Sequence, residues 1–113
     1  LGRQLHVPQR EARDYIEAYF ERFPGIKTYM DATKLGAHEQ GYVETLFGRR
    51  LYINGITSAN QAQRGFAERQ AINAPIQGTA ADIIKQAMVR MPAAILASGL
   101  DAKMLLQVHD ELI

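Results

Sequence analysis

Residues 107–113 read Gln-Val-His-Asp-Glu-Leu-Ile, an apolar segment interrupted by three consecutive titratable side chains, His109, Asp110 and Glu111. Burying adjacent carboxylates costs several kcal/mol unless something compensates their charge. The pattern is compatible with an ordinary hairpin that has a polar tip. It is also compatible with a tight turn that presents Asp110 and Glu111 to a divalent cation. From this segment alone the ordinary hairpin is the simpler interpretation.

The composition limits the class of protein. The chain has 113 residues, of which 47% are hydrophobic and 22% charged, with a formal net charge of +1. These fractions are typical of a soluble globular domain or part of one. Because there is no cysteine, a disulfide framework, a thiolate metal site and a cysteine nucleophile are excluded. No apolar run approaches the roughly 20 residues of a membrane helix and no signal-peptide pattern is present, so we expect no membrane partner and a cytoplasmic location.

The charges are unevenly distributed along the chain. Residues 42–90 carry six basic and three acidic side chains, whereas residues 91–113 carry one basic and three acidic side chains. A basic middle followed by an acidic end suits phosphate binding beside a metal site. Ordinary solvated faces show similar imbalances, so charge alone does not decide the function.

Hydrophobic periodicity predicts helices in the first part of the chain. Residues 1–6 resemble the last turn of one helix, and Pro8 suits the first turn of the next. Apolar residues then recur at helical spacing as far as Phe23, and we expect their aromatic stripe to pack in the core. Pro24 interrupts this helix, and a second helix follows with a glycine cap at Gly41.

The middle of the chain predicts a β-hairpin followed by a third helix. Two β-prone runs flank a Phe-Gly-Arg turn, which indicates a hairpin over residues 42–53. A polar loop over residues 54–59 leads into the third helix, which should end or kink at Pro75.

The last part of the chain predicts a long helix and a final strand. Thr79 and Asp82 resemble a capping box, which places a helix start near them. That helix should bend at Pro92 and end at Gly99. Residues 103–108 form the last predicted strand. Long helices, an embedded hairpin and a C-terminal antiparallel strand-turn-strand together define the α+β class.

Three polar side chains, Arg69, Asn73 and Gln77, recur at intervals of four residues. On an unbroken helix they would lie on one face. The minor groove of DNA presents hydrogen-bond acceptors at every base pair, so amide donors there can test pairing shape without reading sequence. Alternatively, Asn73 and Gln77 cap a helix break at Pro75 while Arg69 pairs with Glu68 or solvent.

Three blocks of sequence carry a recognisable pattern. Residues 41–50 read Gly-Tyr-Val-Glu-Thr-Leu-Phe-Gly-Arg-Arg, and residues 67–82 read Ala-Glu-Arg-Gln-Ala-Ile-Asn-Ala-Pro-Ile-Gln-Gly-Thr-Ala-Ala-Asp. With residues 107–112, in this order, they resemble the C-terminal part of the polymerase domain in family A DNA polymerases of the bacterial polymerase I type. The resemblance covers essentially the whole chain.

The resemblance implies that residues 1–113 are a fragment of a single polymerase domain shaped like a right hand. Residues 1–41 would be fingers-side helices. Residues 42–113 would belong to the palm, with the hairpin at 42–53 and a catalytic turn at 107–113. The remainder of the polymerase chain, upstream of this segment, would be its structural partner.

The same resemblance implies roles for individual residues. Asp110 matches the catalytic, metal-binding aspartate of the family's last carboxylate motif, and Glu111 matches its neighbour, a lesser or water-mediated metal contact. His109 matches a histidine near the primer terminus. The stripe on the helix matches residues that touch the template and the minor groove behind the growing end: Arg69, Asn73 and Gln77.

The implied activity is template-directed DNA synthesis from dNTP on a primer-template. Two Mg²⁺ ions would activate the attacking 3′-hydroxyl and neutralise the leaving pyrophosphate. One ion would be shared with an upstream aspartate that this chain lacks, so we expect the isolated segment to be inactive. Three alternatives stay open: a non-catalytic DNA-binding module of the same fold, a related RNA polymerase, and a metal phosphohydrolase, which the spacing of the histidines fits poorly.

Overall fold

The computed structural model describes residues 8–113, which form three helices and two small antiparallel hairpins. Helix α1 spans Gln9–Arg22, α2 spans Pro24–Gln40 and α3 spans Gln61–Ser98. The first hairpin pairs β1 (Tyr42–Glu44) with β2 (Arg50–Tyr52), and the second pairs β3 (Gln107–Val108) with β4 (Glu111–Leu112). The predicted α+β class is confirmed. The helical turn predicted for residues 1–6 lies outside the described residues.

The junction between α1 and α2 has the predicted form. The backbone N–H of Phe23 donates to Tyr19 O at 2.9 Å and closes α1. Pro24 then begins α2, where its missing N–H has no helical partner to lose. Helix α2 ends at Gly41, which has φ +78° and donates its N–H to Ala37 O. Glycine suits this left-handed cap because it has no Cβ.

The aromatic stripe of α1 is exposed, and its predicted place in the core is wrong for the described part of the chain. Tyr15, Tyr19 and Phe23 are 60%, 49% and 48% exposed, and Ala12 is the buried residue of this helix. The physical reason is that α1 packs on α2, and one neighbouring helix is too narrow to cover so wide an apolar face.

Helix α3 runs through both of its prolines, so the predicted end at Pro75 and the predicted second start near Thr79 are wrong, whereas a kink at Pro75 or at Pro92 stays a prediction. The helix begins instead at Gln61, after the N-cap Asn60, whose Oδ1 accepts from the N–H of Ala62 at 2.9 Å, and its C-cap is Gly99 as predicted. An internal proline removes one backbone donor and crowds the carbonyl four residues earlier. Tertiary contacts therefore have to stabilise the helix at this point.

One such contact is the hydroxyl of Tyr29 in α2, which donates to Ile72 O in α3 at 2.9 Å. The carbonyl of Ile72 neighbours that of Ala71, the one that Pro75 leaves without its helical donor. A half-buried side chain from another helix thus supplies a donor to the disturbed turn. This explains in part why the helix continues.

The core lies where α2, the first hairpin and α3 meet. Three alanines on the two helices are fully buried, which allows the backbones to approach closely. Larger side chains from the hairpin and the following loop fill the remaining space. The members of this cluster are Ala37, Val43, Ile53, Ile56, Ala67 and Ala71.

The first hairpin pairs Tyr42 with Tyr52 and Val43 with Leu51, as predicted for residues 42–53. Its loop is tightened by Thr45, whose buried Oγ1 accepts from the N–H groups of Phe47 and Arg49. Gly48, with φ +81°, supplies the left-handed residue of this loop.

Three polar contacts fasten the hairpin loop to α3, and we call them together the hairpin clasp. The N–H of Leu46 donates to Thr79 Oγ1 at 2.9 Å. Arg49 Nε donates to Asp82 Oδ1 at 2.8 Å, and Arg49 Nη2 donates to Gly78 O at 3.2 Å. The side chains of Thr79 and Asp82 thus serve the hairpin, which explains why they do not cap a helix.

A second polar link joins α2 to α3. His38 Nε2 lies 3.0 Å from Glu68 Oε1, and each side chain is about one third exposed. The hydrogen bond from His38 holds the pKa of the Glu68 carboxyl below its ordinary value. Glu68 is therefore occupied by α2 and not by its neighbour Arg69.

We expect Gly78→Ala to destabilise the protein by about 1–3 kcal/mol because of overpacking. A Cβ at this position would lie 2.8 Å from Thr45 Cγ2 and 3.0 Å from Leu51 Cδ1. Gly65→Ala, in the same helix, is the matched control, since its Cβ would meet nothing closer than 3.7 Å. This control should gain about 0.5–1 kcal/mol from helix propensity. Urea unfolding followed by circular dichroism measures both, and equal effects of the two substitutions would contradict the tight approach.

We expect Tyr29→Phe to lower the free energy of unfolding by about 1 kcal/mol, since it deletes the donor to Ile72 O. Tyr19→Phe, on the exposed face of α1, is the control and should change stability by less than about 0.5 kcal/mol. Thermal unfolding of the two variants gives the comparison. A Tyr29→Phe variant as stable as the original would show that the hydroxyl does not support α3.

Candidate nucleic-acid interface and carboxylate turn

The structure brings Arg69, Asn73 and Gln77 together on one exposed face of α3. Their four-residue spacing produces this stripe only because the helix is continuous through Pro75. The alternative in which Asn73 and Gln77 cap a helix break is therefore wrong, since there is no break. The pairing of Arg69 with Glu68 is also not formed, because Glu68 bonds to His38.

The stripe lines an open groove of about 450 Å³ between α3 and β2. One wall comes from the strand and the residue after it, and the floor and other wall come from α3. The groove combines a guanidinium and several amides with apolar and aromatic surface, which suits a ligand with a polar edge and flat apolar faces. Its lining residues are Leu51, Tyr52, Ile53, Phe66, Arg69, Gln70, Asn73, Ala74 and Gln77.

Several groove residues were not predicted from the sequence, and Phe66 and Tyr52 have the largest side chains among them. Phe66 precedes Arg69 by three positions on α3, a spacing that places both on one side of a helix and could have identified it. Tyr52 is 70% exposed and reaches the groove from β2. No sequence signal indicated Tyr52, because its place depends on how the hairpin docks on α3.

The second candidate site is the turn between β3 and β4. Val108 pairs with Glu111, so His109 and Asp110 form a two-residue loop. His109 has φ +53°, the one positive φ of a non-glycine residue in residues 8–113. A positive φ at the first loop residue alone is the pattern of a type II′ turn, where glycine is usual. The histidine therefore costs backbone energy of about 1 kcal/mol or more.

Local hydrogen bonds hold this turn. Gln107 Nε2 donates to the carbonyl of His109 at 2.7 Å. Ile113 N–H donates to Leu106 O at 2.9 Å and closes the hairpin. The backbone is thus fixed from both sides despite its cost at His109.

The turn presents His109, Asp110 and Glu111 together on the surface. Carboxylate oxygens are the donors that Mg²⁺ prefers, so Asp110 and Glu111 fit part of a magnesium site. Within residues 8–113 no three His, Cys, Asp or Glu side chains are grouped closely enough to hold a metal ion. None of the three turn residues lines the groove.

No helix in the described part of the chain combines the length and the apolar character needed to cross a membrane.

Comparison with solved structures identifies the class of fold. The chain is similar to the POL domain of Pol1 from M. smegmatis in complex with DNA primer-template and dNTP, with a TM-score of 0.93 and 47% sequence identity. The match covers 99% of this chain and 20% of that one. The fold is therefore that of a segment of a polymerase domain.

The family follows from sequence. The model of DNA polymerase family A matches residues 1–113, and the chain belongs to this family. It is 58% identical to DNA polymerase I of Pseudomonas aeruginosa and 56% identical to that of Streptococcus pneumoniae over 113 residues. In both cases all of this chain is covered, but only 12% and 13% of the relative. The chain thus spans about an eighth of the length of these curated relatives, and the resemblance described above is confirmed.

We expect His109→Gly to stabilise the turn and His109→Val to destabilise it, because φ is +53° at this position. Amide hydrogen exchange at Ile113 reports opening of the hairpin, since this N–H bonds to Leu106 O. Exchange should be slower than in the original chain for the glycine variant and faster for the valine variant. The opposite order would mean that the positive φ does not limit the turn.

Proposed function

We propose that the protein to which this chain belongs catalyses template-directed DNA synthesis, transferring a nucleotidyl group from dNTP to a primer 3′-hydroxyl. The observation that carries the proposal is membership of DNA polymerase family A over residues 1–113. The similar structure named above is a polymerase domain in complex with DNA primer-template and dNTP. The groove and the carboxylate turn supply residue types that suit this reaction.

In this proposal the groove between β2 and α3 receives the minor-groove side of the primer-template duplex. Asn73 and Gln77 would donate hydrogen bonds to the acceptors that every base pair presents there. Arg69 would contact phosphate or a base edge with its charged donors. The exposed ring of Phe66, on the same side of α3, would pack against sugar or base surface.

The carboxylate turn is proposed as part of the catalytic centre. Asp110 would hold Mg²⁺, Glu111 would make a weaker or water-mediated contact, and His109 would lie near the primer terminus. Bound Mg²⁺ supplies activation of the 3′-hydroxyl and charge neutralisation at the phosphate and the leaving pyrophosphate. Since residues 8–113 contain no group of three His, Cys, Asp or Glu side chains that could hold a metal ion, a further aspartate from the rest of the polymerase would complete the site in this proposal.

The proposed division of the segment is residues 1–41 on the fingers side and residues 42–113 in the palm. The isolated 113-residue chain is expected to be inactive, since the turn holds only some of the metal ligands. The cytoplasmic location expected from the sequence stays a prediction.

A non-catalytic DNA-binding module is the second candidate. The observation in its favour is the groove, which is suited to a duplex by itself. The two functions differ in one measurable respect: a binding module would show no dependence of turnover on Asp110.

We therefore expect Asp110→Ala, in a polymerase that carries this segment, to reduce primer extension by at least about a thousandfold, as expected for loss of a metal ligand in the transition state. Affinity for the primer-template should stay within about threefold, because binding rests on the groove and on phosphate contacts. Asp101→Ala, an exposed aspartate between α3 and β3, is the matched control and should extend primers normally. Single-turnover extension and equilibrium duplex binding make the comparison; full turnover in Asp110→Ala would exclude the assignment.

A further inference from the structure

The hairpin clasp lies directly beside the groove. The carbonyl of Gly78, which accepts from Arg49 Nη2, follows Gln77, the last residue of the polar stripe. Leu51 lines the groove, and its Cδ1 would lie 3.0 Å from a Cβ at Gly78. The clasp therefore lies where strand β2, which forms one wall of the groove (the β2 wall), meets α3.

The two charged partners of the clasp differ in their surroundings. The side chain of Asp82 is only 13% exposed, whereas that of Arg49 is 48% exposed. Hydrogen bonding by the Thr45 hydroxyl, followed by the hydrogen bond and charge of Arg49, holds the pKa of the Asp82 carboxyl below its ordinary value although burial opposes this. Asp82 Oδ2 is buried without a hydrogen-bond partner among residues 8–113. The carboxylate is consequently charged at neutral pH, and Arg49 is the cation that forms an ion pair with it.

The guanidinium of Arg49 already makes two hydrogen bonds to α3. Its Nε bonds to Asp82 and its Nη2 bonds to the helix backbone. An arginine fixed at two of its nitrogens is pre-organised as a structural link. Arg50, the next residue, shows the contrast: its Nε pairs with Glu44 within the hairpin at 3.1 Å, and both side chains are about half exposed.

We propose that Arg49 and Asp82 are positioning residues, which hold the β2 wall at a fixed distance from α3 and thereby set the width of the groove that receives the duplex. The inference rests on the proposed function of the groove. Neither residue lines the groove, so their effect on duplex binding is transmitted through Leu51 and Gly78.

A direct contact between Arg49 and a DNA phosphate is the competing explanation, and the two differ in sign at Asp82. If Arg49 bound phosphate, Asp82→Asn would remove a nearby negative charge and leave duplex affinity unchanged or improved. If the clasp sets the width of the groove, Asp82→Asn loosens the attachment of β2 to α3 and weakens duplex binding. Salt dependence gives a second distinction, because the loss of one phosphate contact lowers the slope of log K against log salt by about one.

The experiment uses a polymerase that carries this segment, with the variants Arg49→Gln, Arg49→Lys, Asp82→Asn and the double variant Arg49→Gln/Asp82→Asn. Duplex affinity is measured from about 50 to 200 mM salt with one primer-template, the range over which phosphate contacts are resolved, together with kcat and KM for dNTP. We expect about fivefold weaker binding in Arg49→Gln and in Asp82→Asn, no further loss in the double variant, and an unchanged salt slope. Coupled residues show this non-additivity. Arg49→Lys should recover part of the affinity, and kcat should stay within about twofold, since the clasp touches no reacting atom.

Arg50→Gln is the matched control, because it removes the same charge from the adjacent position without touching α3, and we expect unchanged affinity. A weaker Arg49→Gln with a reduced salt slope, beside an unaffected Asp82→Asn, would overturn the clasp in favour of phosphate binding. Thermal unfolding confirms that each variant is folded; if Asp82→Asn is not, Arg49→Gln and Arg49→Lys carry the comparison through the salt slope. Asn73→Ala tests the groove itself. If Asn73→Ala leaves duplex affinity unchanged, the proposed DNA contact of the groove is wrong. If Asn73→Ala weakens binding while the Arg49 and Asp82 variants do not, only the role of the clasp is wrong.

Discussion

Helix α3 continues through Pro75, and the candidate interface depends on this continuity. A break at Pro75 would rotate Gln77 relative to Arg69 and Asn73, since residues four apart share a face only along one unbroken helix. The helix survives because α2 and the hairpin pack against the disturbed turn. Tyr29 donates to the Ile72 carbonyl at 2.9 Å, while the fully buried Ala71 allows close approach. Tertiary packing thus outweighs the local cost of an internal proline.

The same helix also fixes the hairpin, and here the constraint is space. Gly78 lies under Thr45 and Leu51 so closely that a methyl group would not fit. Polar groups that would otherwise be free on α3, Thr79 and Asp82, are used to hold the hairpin loop. The close approach and the clasp depend on each other. The lack of a side chain at Gly78 permits the contact, and the hydrogen bonds of the clasp fix the orientation of the hairpin on α3. The groove is the space that remains between the two elements.

Local sequence rules predicted the elements whose causes are local. The hairpin over residues 42–53 and the start of α2 at Pro24 follow from turn and proline chemistry, and both are observed. The same rules were wrong at Pro75, because the packing around that turn is not local: Tyr29, which donates to the Ile72 carbonyl there, is 43 residues from its acceptor in the chain. The helix start predicted from Thr79 and Asp82 was also wrong, since their spacing is that of a capping box while their hydrogen-bond partners lie in the hairpin. The polar stripe could be predicted because its four-residue spacing requires only that the segment is helical. The place of Tyr52 in the groove wall could not be predicted, because it depends on how the hairpin packs against α3.

Each of the two candidate sites lacks a property that the other one has. Arg69 is the charged residue among those that line the groove, so the groove offers recognition without a carboxylate to bind a metal. The turn offers the carboxylates of Asp110 and Glu111 but no third donor within residues 8–113. A hairpin with two residues in each strand has little stability of its own, and His109 adds a backbone cost through its positive φ. A cation that draws Asp110 and outside donors together would offset that cost through binding energy. Under the proposed function the turn is one side of a metal site, and donors from the rest of the polymerase would offset the backbone cost that the positive φ of His109 imposes.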